Sequence, residues 1–198
     1  MTKSSEKDKT TKENILTVTI ELIKTEGLEN VTLRKIAALA NSNLALINYY
    51  FGSKDKLINE ALKVLLTSFQ EAFSVLDNQS IAPKERLKIF LLEYTNSVIK
   101  YPELLGEILG KGNISFESQY EYANFMKTMG FNKIKATLEE ITGETNSDIL
   151  TLMMMQINAS IFFPTLMGCK KKVQLVWNPV PVEEQIDLFF EHYFAKYC

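Results

Sequence analysis

The residues best suited to chemistry lie in one short run, Asn43 to Lys54, which reads N-L-A-L-I-N-Y-Y-F-G-S-K. If this run is helical, Ile47 and Phe51 are spaced i, i+4 and turn inward together. Leu44 and Asn48, and Ala45 and Tyr49, then fall on the opposite and flanking faces. A helix laid in the major groove of DNA touches base edges mainly through its N-terminal residues. Small Ala45 would let the backbone come close, Leu44 or Leu46 could pack on thymine methyls, and Asn48 could pair with an adenine edge. Tyr49 and Tyr50 carry hydroxyls suited to phosphate oxygens. Lys54 adds a charge beside the exposed N–H groups at a helix start, a good place for an anion. Arg34 and Lys35, one helix upstream, are candidates for flanking phosphates. The same spacing also fits Leu44, Leu46, Tyr49 and Tyr50 as plain core residues of a small helical domain.

The elements needed to position that run are legible around it. Ile15, Val18, Thr19, Leu22 and Ile23 share one helical face, and Gly27 is placed to end their helix. Thr32 is a natural N-cap for a second helix whose inner face is Ile36, Ala37 and Ala40. Asn41, Ser42 and Asn43 make a tight turn, Asn43 caps the third helix, and Ser53 caps a fourth that starts at Lys54. Three helices joined in this way form a helix-turn-helix unit. Longer helices are expected from Lys54 to about Leu76, from Pro83 to Lys100, and from about Phe116 to Ile141, with Gly143 after it. An apolar helix follows from about Asn146 to Met167, then a last one from Glu183 to Tyr197. A short piece is read at Pro102 to Leu109, and strand character only at Val173 to Trp177. Residues 1 to 10 read as a mobile arm. The fold class is all-α: an N-terminal three-helix helix-turn-helix domain, residues 1–53, and a larger helical domain, residues 54–198.

At motif level, residues 12 to 60 resemble the DNA-binding domain of tetracycline-repressor-type (TetR-family) regulators. The resemblance rests on Ile15 through Ile23 with Gly27, on Val31-Thr32, Ile36-Ala37 and Ala40, and above all on the run N-Y-Y-F-G-S-K-D-K-L from Asn48 to Leu57. It implies that Asn43, Leu44, Ala45, Leu46, Asn48, Tyr49 and Tyr50 contact DNA and that Lys54 meets a phosphate. Three positions depart from the family pattern. Asn41 replaces the usual turn glycine, a place where Asn tolerates positive φ. Ser42 replaces a small apolar residue, and Leu44 and Leu46 stand where polar residues are common, so the family's base code does not carry over. The resemblance further implies a near-palindromic double-stranded DNA operator, a homodimer built from the last two helices, and a small-molecule effector held among the middle helices.

The larger domain agrees with that picture. Ile186, Phe189, Phe190, Tyr193, Phe194 and Tyr197 form one broad aromatic face on the last helix, which suits an isologous contact between subunits. Burial of the same face within one subunit is the alternative. Phe90, Tyr94, Phe116, Tyr120, Phe125, Met126, Met129, Met154 and Phe162 are candidates to line an effector pocket, because methionine and aromatic side chains take bulky apolar ligands loosely. Tyr101, Met153 and Phe163 are further candidates, and plain core is the competing reading for all of them. Glu93, Glu117 and Glu121 nearby would favour a cationic ligand.

Composition narrows the remaining classes. The chain has 198 residues, 46% hydrophobic and 23% charged, with a net charge of -2, which is ample for a packed core. Residues 1 to 60 hold nine Lys and Arg against eight Asp and Glu, a weakly basic balance within an acidic chain. Two cysteines, Cys169 and Cys198, and one histidine, His192, supply neither a disulfide framework nor a metal site. No cofactor is expected. No nucleophile–base pairing is evident, and Gly110-Lys111-Gly112 lacks the spacing of a phosphate-cradling loop, so an enzyme is not expected. The uncharged stretch Ile149 to Cys169 is long enough for a membrane span, but Thr151, Gln156, Asn158, Ser160 and Pro164 favour a buried helix. A cytoplasmic, membrane-free regulator is the expected identity, released from its operator as a repressor by a small hydrophobic effector. A helical ligand-binding protein without DNA-binding activity is the alternative.

Overall fold

The computed structural model describes residues 2–100, 115–169 and 180–197. Every regular element among them is helical. In chain order these are α1 (Thr2–Glu26), α2 (Leu33–Leu39), α3 (Leu44–Phe51), α4 (Lys54–Glu71), α5 (Pro83–Ile99), α6 (Glu117–Phe125), α7 (Phe131–Thr142), α8 (Ser147–Cys169) and α9 (Val182–Tyr193). Short 3₁₀ segments occupy Leu28–Asn30 and Ala72–Asp77, and a π-helical turn spans Met126–Gly130. The all-α expectation is met. The pieces expected at Pro102 to Leu109 and Val173 to Trp177 lie outside the described residues. No described helix is long and apolar enough to cross a membrane.

The chain forms two compact units, one drawn from Met1–Thr67 and Glu103–Tyr122, the other from Ser68–Pro102 and Ala123–Cys198. In the first, Ile15, Leu22 and Ile23 of α1 are buried together with Ile36, Ala37, Ile47, Phe51, Leu57, Ala61 and Leu62. The expected mobile arm is instead the first part of α1, which begins at Thr2. No Pro or Gly interrupts residues 1–26. A helix nucleated by its buried later turns extends at little further cost through such a segment.

The core of the second unit is centred on α5. Leu87, Phe90 and Leu91 pack with Phe73 and Leu76, with Ile134 and Leu138 of α7, with Leu150, Met154, Ile157 and Ile161 of α8, and with Ile186 and Phe194. Lys88 of α5 holds Asp187 of α9 at 2.6 Å. The Asp187 hydrogen bond outweighs burial and raises the Lys88 pKa above the ordinary 10.5. Lys88 therefore binds its proton more tightly in the folded chain, and the stability this adds is whole below pH 10.5 and lost as the pH climbs through the folded value.

One irregularity ends at a tight packing contact. Where the sequence predicts a single helix from Phe116 to Ile141, the π turn inserts between α6 and α7. At its end stands Gly130, where an added Cβ would lie 3.0 Å from Met126 Sδ and 3.2 Å from Phe73 Cε1. Met126 can move, but the Phe73 ring is buried against Phe90, Tyr94 and Phe125. Gly130→Ala should therefore destabilise the chain by about 1 kcal/mol, because overpacking at ~1–3 kcal/mol exceeds the ~1 kcal/mol alanine gains in helix propensity. Denaturant unfolding checks this, and an unchanged or raised midpoint would refute the close-packing account.

Candidate nucleic-acid interface

The helix-turn-helix is held by local chemistry at each junction. Thr32 Oγ1 accepts from Lys35 N at 3.3 Å, Asn43 Oδ1 from Leu46 N at 2.9 Å, and Ser53 Oγ from Lys56 N at 3.2 Å, so each expected N-cap is in place. Such caps satisfy N–H groups that the first helical turn leaves orphaned. In the turn, Asn41 stands at φ 48°, the only non-glycine with positive φ among the described residues. It does the work of the family's glycine there, as its short amide side chain permits. Gly52 ends α3 at φ 78°, a conformation that strains any side chain.

A further tie was not foreseen from the sequence. Asn14 Nδ2 of α1 donates to the Ala40 carbonyl at the end of α2, 2.9 Å away and 26 residues distant in sequence. No short-range pattern marks such a bond. Lys12 lies over the Phe51 ring at 5.2 Å, which adds a cation–π contact behind α3.

With α3 fixed in this way, Ile47 and Phe51 are buried and the remaining face is open. Tyr49 is 79% exposed, Leu44 43% and Leu46 36%, so these are not core residues. Ala45 and Asn48 are exposed beside them, and Tyr50 is half-buried with its ring 5.2 Å from that of Tyr49. Asn43 is exposed, though its carbonyl oxygen is engaged as the cap. Lys54 is half-buried in the first turn of α4, and Arg34 is exposed on α2. Lys35, by contrast, is turned to Glu26 at 2.5 Å and to the Asn30 carbonyl at 3.1 Å. The structure thus gathers Leu44, Ala45, Leu46, Asn48 and Tyr49 on one surface of a short capped helix.

The residues read as pocket-lining divide. Phe90, Tyr94, Phe125, Met126, Met154 and Phe162 belong to the core of the second unit. There Tyr94 is ringed by Phe69 at 6.2 Å, Phe73 at 5.5 Å, Phe90 at 5.4 Å and Phe162 at 5.5 Å. Phe116 and Tyr120 fall in the first unit, and Tyr120 is 65% exposed. Met129 is exposed at a groove of about 310 Å³ lined also by Leu76, Asp77, Asn132 and Lys133. Glu93 borders a separate polar groove with Ser68, Glu71, Asn96, Ser97 and Lys100. Tyr101 lies outside the described residues. No cluster of His, Cys, Asp and Glu suited to a metal occurs among the described residues.

Comparison with known proteins agrees with this geometry. Residues 15–61 match the bacterial regulatory proteins of the tetR family. The HTH-type transcriptional repressor NicS of Pseudomonas putida is 30% identical over 95 residues, 48% of this chain and 45% of that protein. The chain thus spans less than half the length of the curated relatives it matches. Over the whole chain the likeness is one of fold. A TetR-like transcriptional regulator from Rhodococcus sp. RHA1 superposes with a TM-score of 0.63 at 16% identity, covering 91% of this chain and 92% of that one. The Thermus thermophilus regulator FadR, solved with lauroyl-CoA, gives 0.50 at 17% identity over 89% and 90%. Residues 15–61 thus carry the domain of the tetR family of bacterial regulatory proteins, and the chain as a whole shares the fold of a TetR-like regulator.

Proposed function

We propose that the chain is a cytoplasmic, sequence-specific DNA-binding transcriptional regulator, a repressor that acts by binding rather than catalysis. One observation carries the reading: α3 is capped, braced from behind, and turns Leu44, Ala45, Leu46, Asn48 and Tyr49 outward in a domain matched by a regulator family. Two such helices, one from each subunit, enter successive major grooves of a near-palindromic operator. Lys54, Arg34 and the tyrosine hydroxyls hold the flanking phosphates, and a dimer doubles each of those contacts. Selection from a random duplex library tests this. An inverted repeat, bound more weakly as salt rises, is the expected product. Enrichment of no sequence by folded protein would refute the reading.

The dimer is placed on α8 and α9. A groove of about 530 Å³ runs between them, lined by Ser160, Pro164, Val180, Gln185, Leu188, Phe189, His192 and Tyr193. Leu152, Met155, Phe163 and Leu188 add exposed apolar surface on the same two helices. Surface of that kind on a single chain favours pairing with a copy of itself. Leu188→Glu should raise the dimer dissociation constant about tenfold or more, since each copy of the interface would bury an unpaired carboxylate. Sedimentation velocity reads the outcome, and an undisturbed dimer would move the interface elsewhere.

The effector is proposed to be a small hydrophobic molecule that enters the aromatic core around Tyr94, where Phe90, Phe125, Met126, Met154 and Phe162 would meet it. FadR, of the same fold, is seen with an acyl-CoA. Release of DNA requires that the effector bind better to the state with misplaced recognition helices, and its effect is bounded by that difference.

A further inference from the structure

We propose that the operator half-site beneath α3 is built of A·T pairs and is read through thymine methyl groups, with guanine left unread. This deepens the DNA-binding reading and rests on it. Each base pair shows the major groove a distinct edge. Guanine is matched by Arg or Lys at O6 and N7, cytosine by a carboxylate at N4, adenine by Asn or Gln, and thymine by an apolar contact to its methyl. The eight residues of α3, L-A-L-I-N-Y-Y-F, contain no Arg, Lys, Gln, Asp or Glu. The nearby cations are placed for other work. Lys35 is held by Glu26, and Arg34 sits on α2, the helix that crosses the phosphate backbone in this motif.

What α3 does offer is aliphatic. Leu44, Ala45 and Leu46 are the first three residues of the helix, the end that reaches base edges, and both leucines are partly exposed. The thymine methyl is the one apolar feature on the major-groove edges. Against G·C pairs the leucines would displace water from donors and acceptors and give nothing back. Against thymine they would bury methyl on methyl. Asn48 lies one turn after Leu44 and has the amide that pairs with adenine N6 and N7. Asn43 adds little to the code, since its carbonyl oxygen is spent on Leu46 N. Apart from the tyrosine hydroxyls, assigned above to phosphate, the exposed side chains of α3 are complementary to thymine and adenine.

The test starts from duplexes selected by the full-length protein. Within the best inverted repeat, each thymine is replaced singly by deoxyuridine, which removes only the methyl, and affinity is measured for the wild type, Leu44→Ala and Leu46→Ala. We expect A·T pairs under α3 and a roughly fourfold loss for each contacted methyl, the value of one buried carbon group. In the matching leucine variant the thymine-to-deoxyuridine ratio should fall toward one, which a merely structural leucine would not produce. Both leucines are partly exposed, so the variants should fold, as circular dichroism will show. A repeat with fixed G·C pairs under α3, or deoxyuridine bound as well as thymine, overturns the methyl code while leaving operator binding intact. Failure of folded protein to select any repeat overturns operator binding itself, and the code with it.

Discussion

Replacing Tyr49 and Lys54 together by alanine is expected to weaken binding to the selected operator about a thousandfold while leaving fold and dimer unchanged. The size follows from counting. Each subunit loses one hydroxyl and one ammonium contact to phosphate, so a dimer loses four, and at ~1 kcal/mol for each wet, surface-exposed contact the sum is ~4 kcal/mol. The singles separate the two roles. Lys54→Ala should also reduce the salt slope by about two, because two counterion-releasing contacts vanish per dimer. Tyr49→Ala should leave that slope alone, and Tyr49→Phe should lose the hydroxyl contact while keeping the ring. The core should respond little, since Tyr49 is 79% exposed and Lys54 is only half-buried in the first turn of α4. Filter binding or fluorescence anisotropy against salt, with sedimentation as the control for assembly, decides it. If the double variant binds operator as the wild type does, these residues do not form the phosphate clamp.

The recognition unit was legible because its chemistry is local. Caps at Thr32, Asn43 and Ser53 each act within three residues, and the buried pair Ile47 and Phe51 is a spacing pattern. Positive φ at Asn41 followed from the resemblance, because Asn41 stands where the family has a turn glycine and Asn tolerates that conformation. What escaped were contacts distant in sequence. The expected helix from Lys54 to Leu76 gives way after Glu71 to a 3₁₀ segment, and the Leu76 carbonyl there is taken by Arg86. The π turn ends at a close approach of Gly130 to Phe73, more than fifty positions apart in sequence, which no periodicity records. The pocket list shows a further limit. Aromatic and methionine residues at helical spacing look alike whether they line a cavity or fill a core, and Phe116 and Tyr120 share composition but not location with the Tyr94 cluster.

Arg86 is the residue whose loss should harm stability most. It is 1% exposed in the first turns of α5, yet it carries a guanidinium. Nη1 donates to the Leu76 carbonyl at 2.7 Å and Nη2 is paired with the Glu140 carboxylate of α7, so one planar fork ties three elements. Lysine cannot reproduce this, because a single ammonium lacks the rigid spread of two donors. Arg86→Ala should cost about 3–5 kcal/mol: it opens a cavity, orphans a buried carbonyl and dissolves the ion pair. Arg86→Met fills the volume and isolates the polar part, for which about 1–3 kcal/mol of carbonyl desolvation remains. Glu140→Gln should cost less than Arg86→Ala, since the isosteric amide opens no cavity and keeps an oxygen that can accept from Nη2. The expected order of unfolding midpoints is wild type, then Glu140→Gln, then Arg86→Met, then Arg86→Ala. Were Arg86→Met as stable as the wild type, the buried fork would be dispensable, and the 3₁₀ segment would need another reason to end where it does.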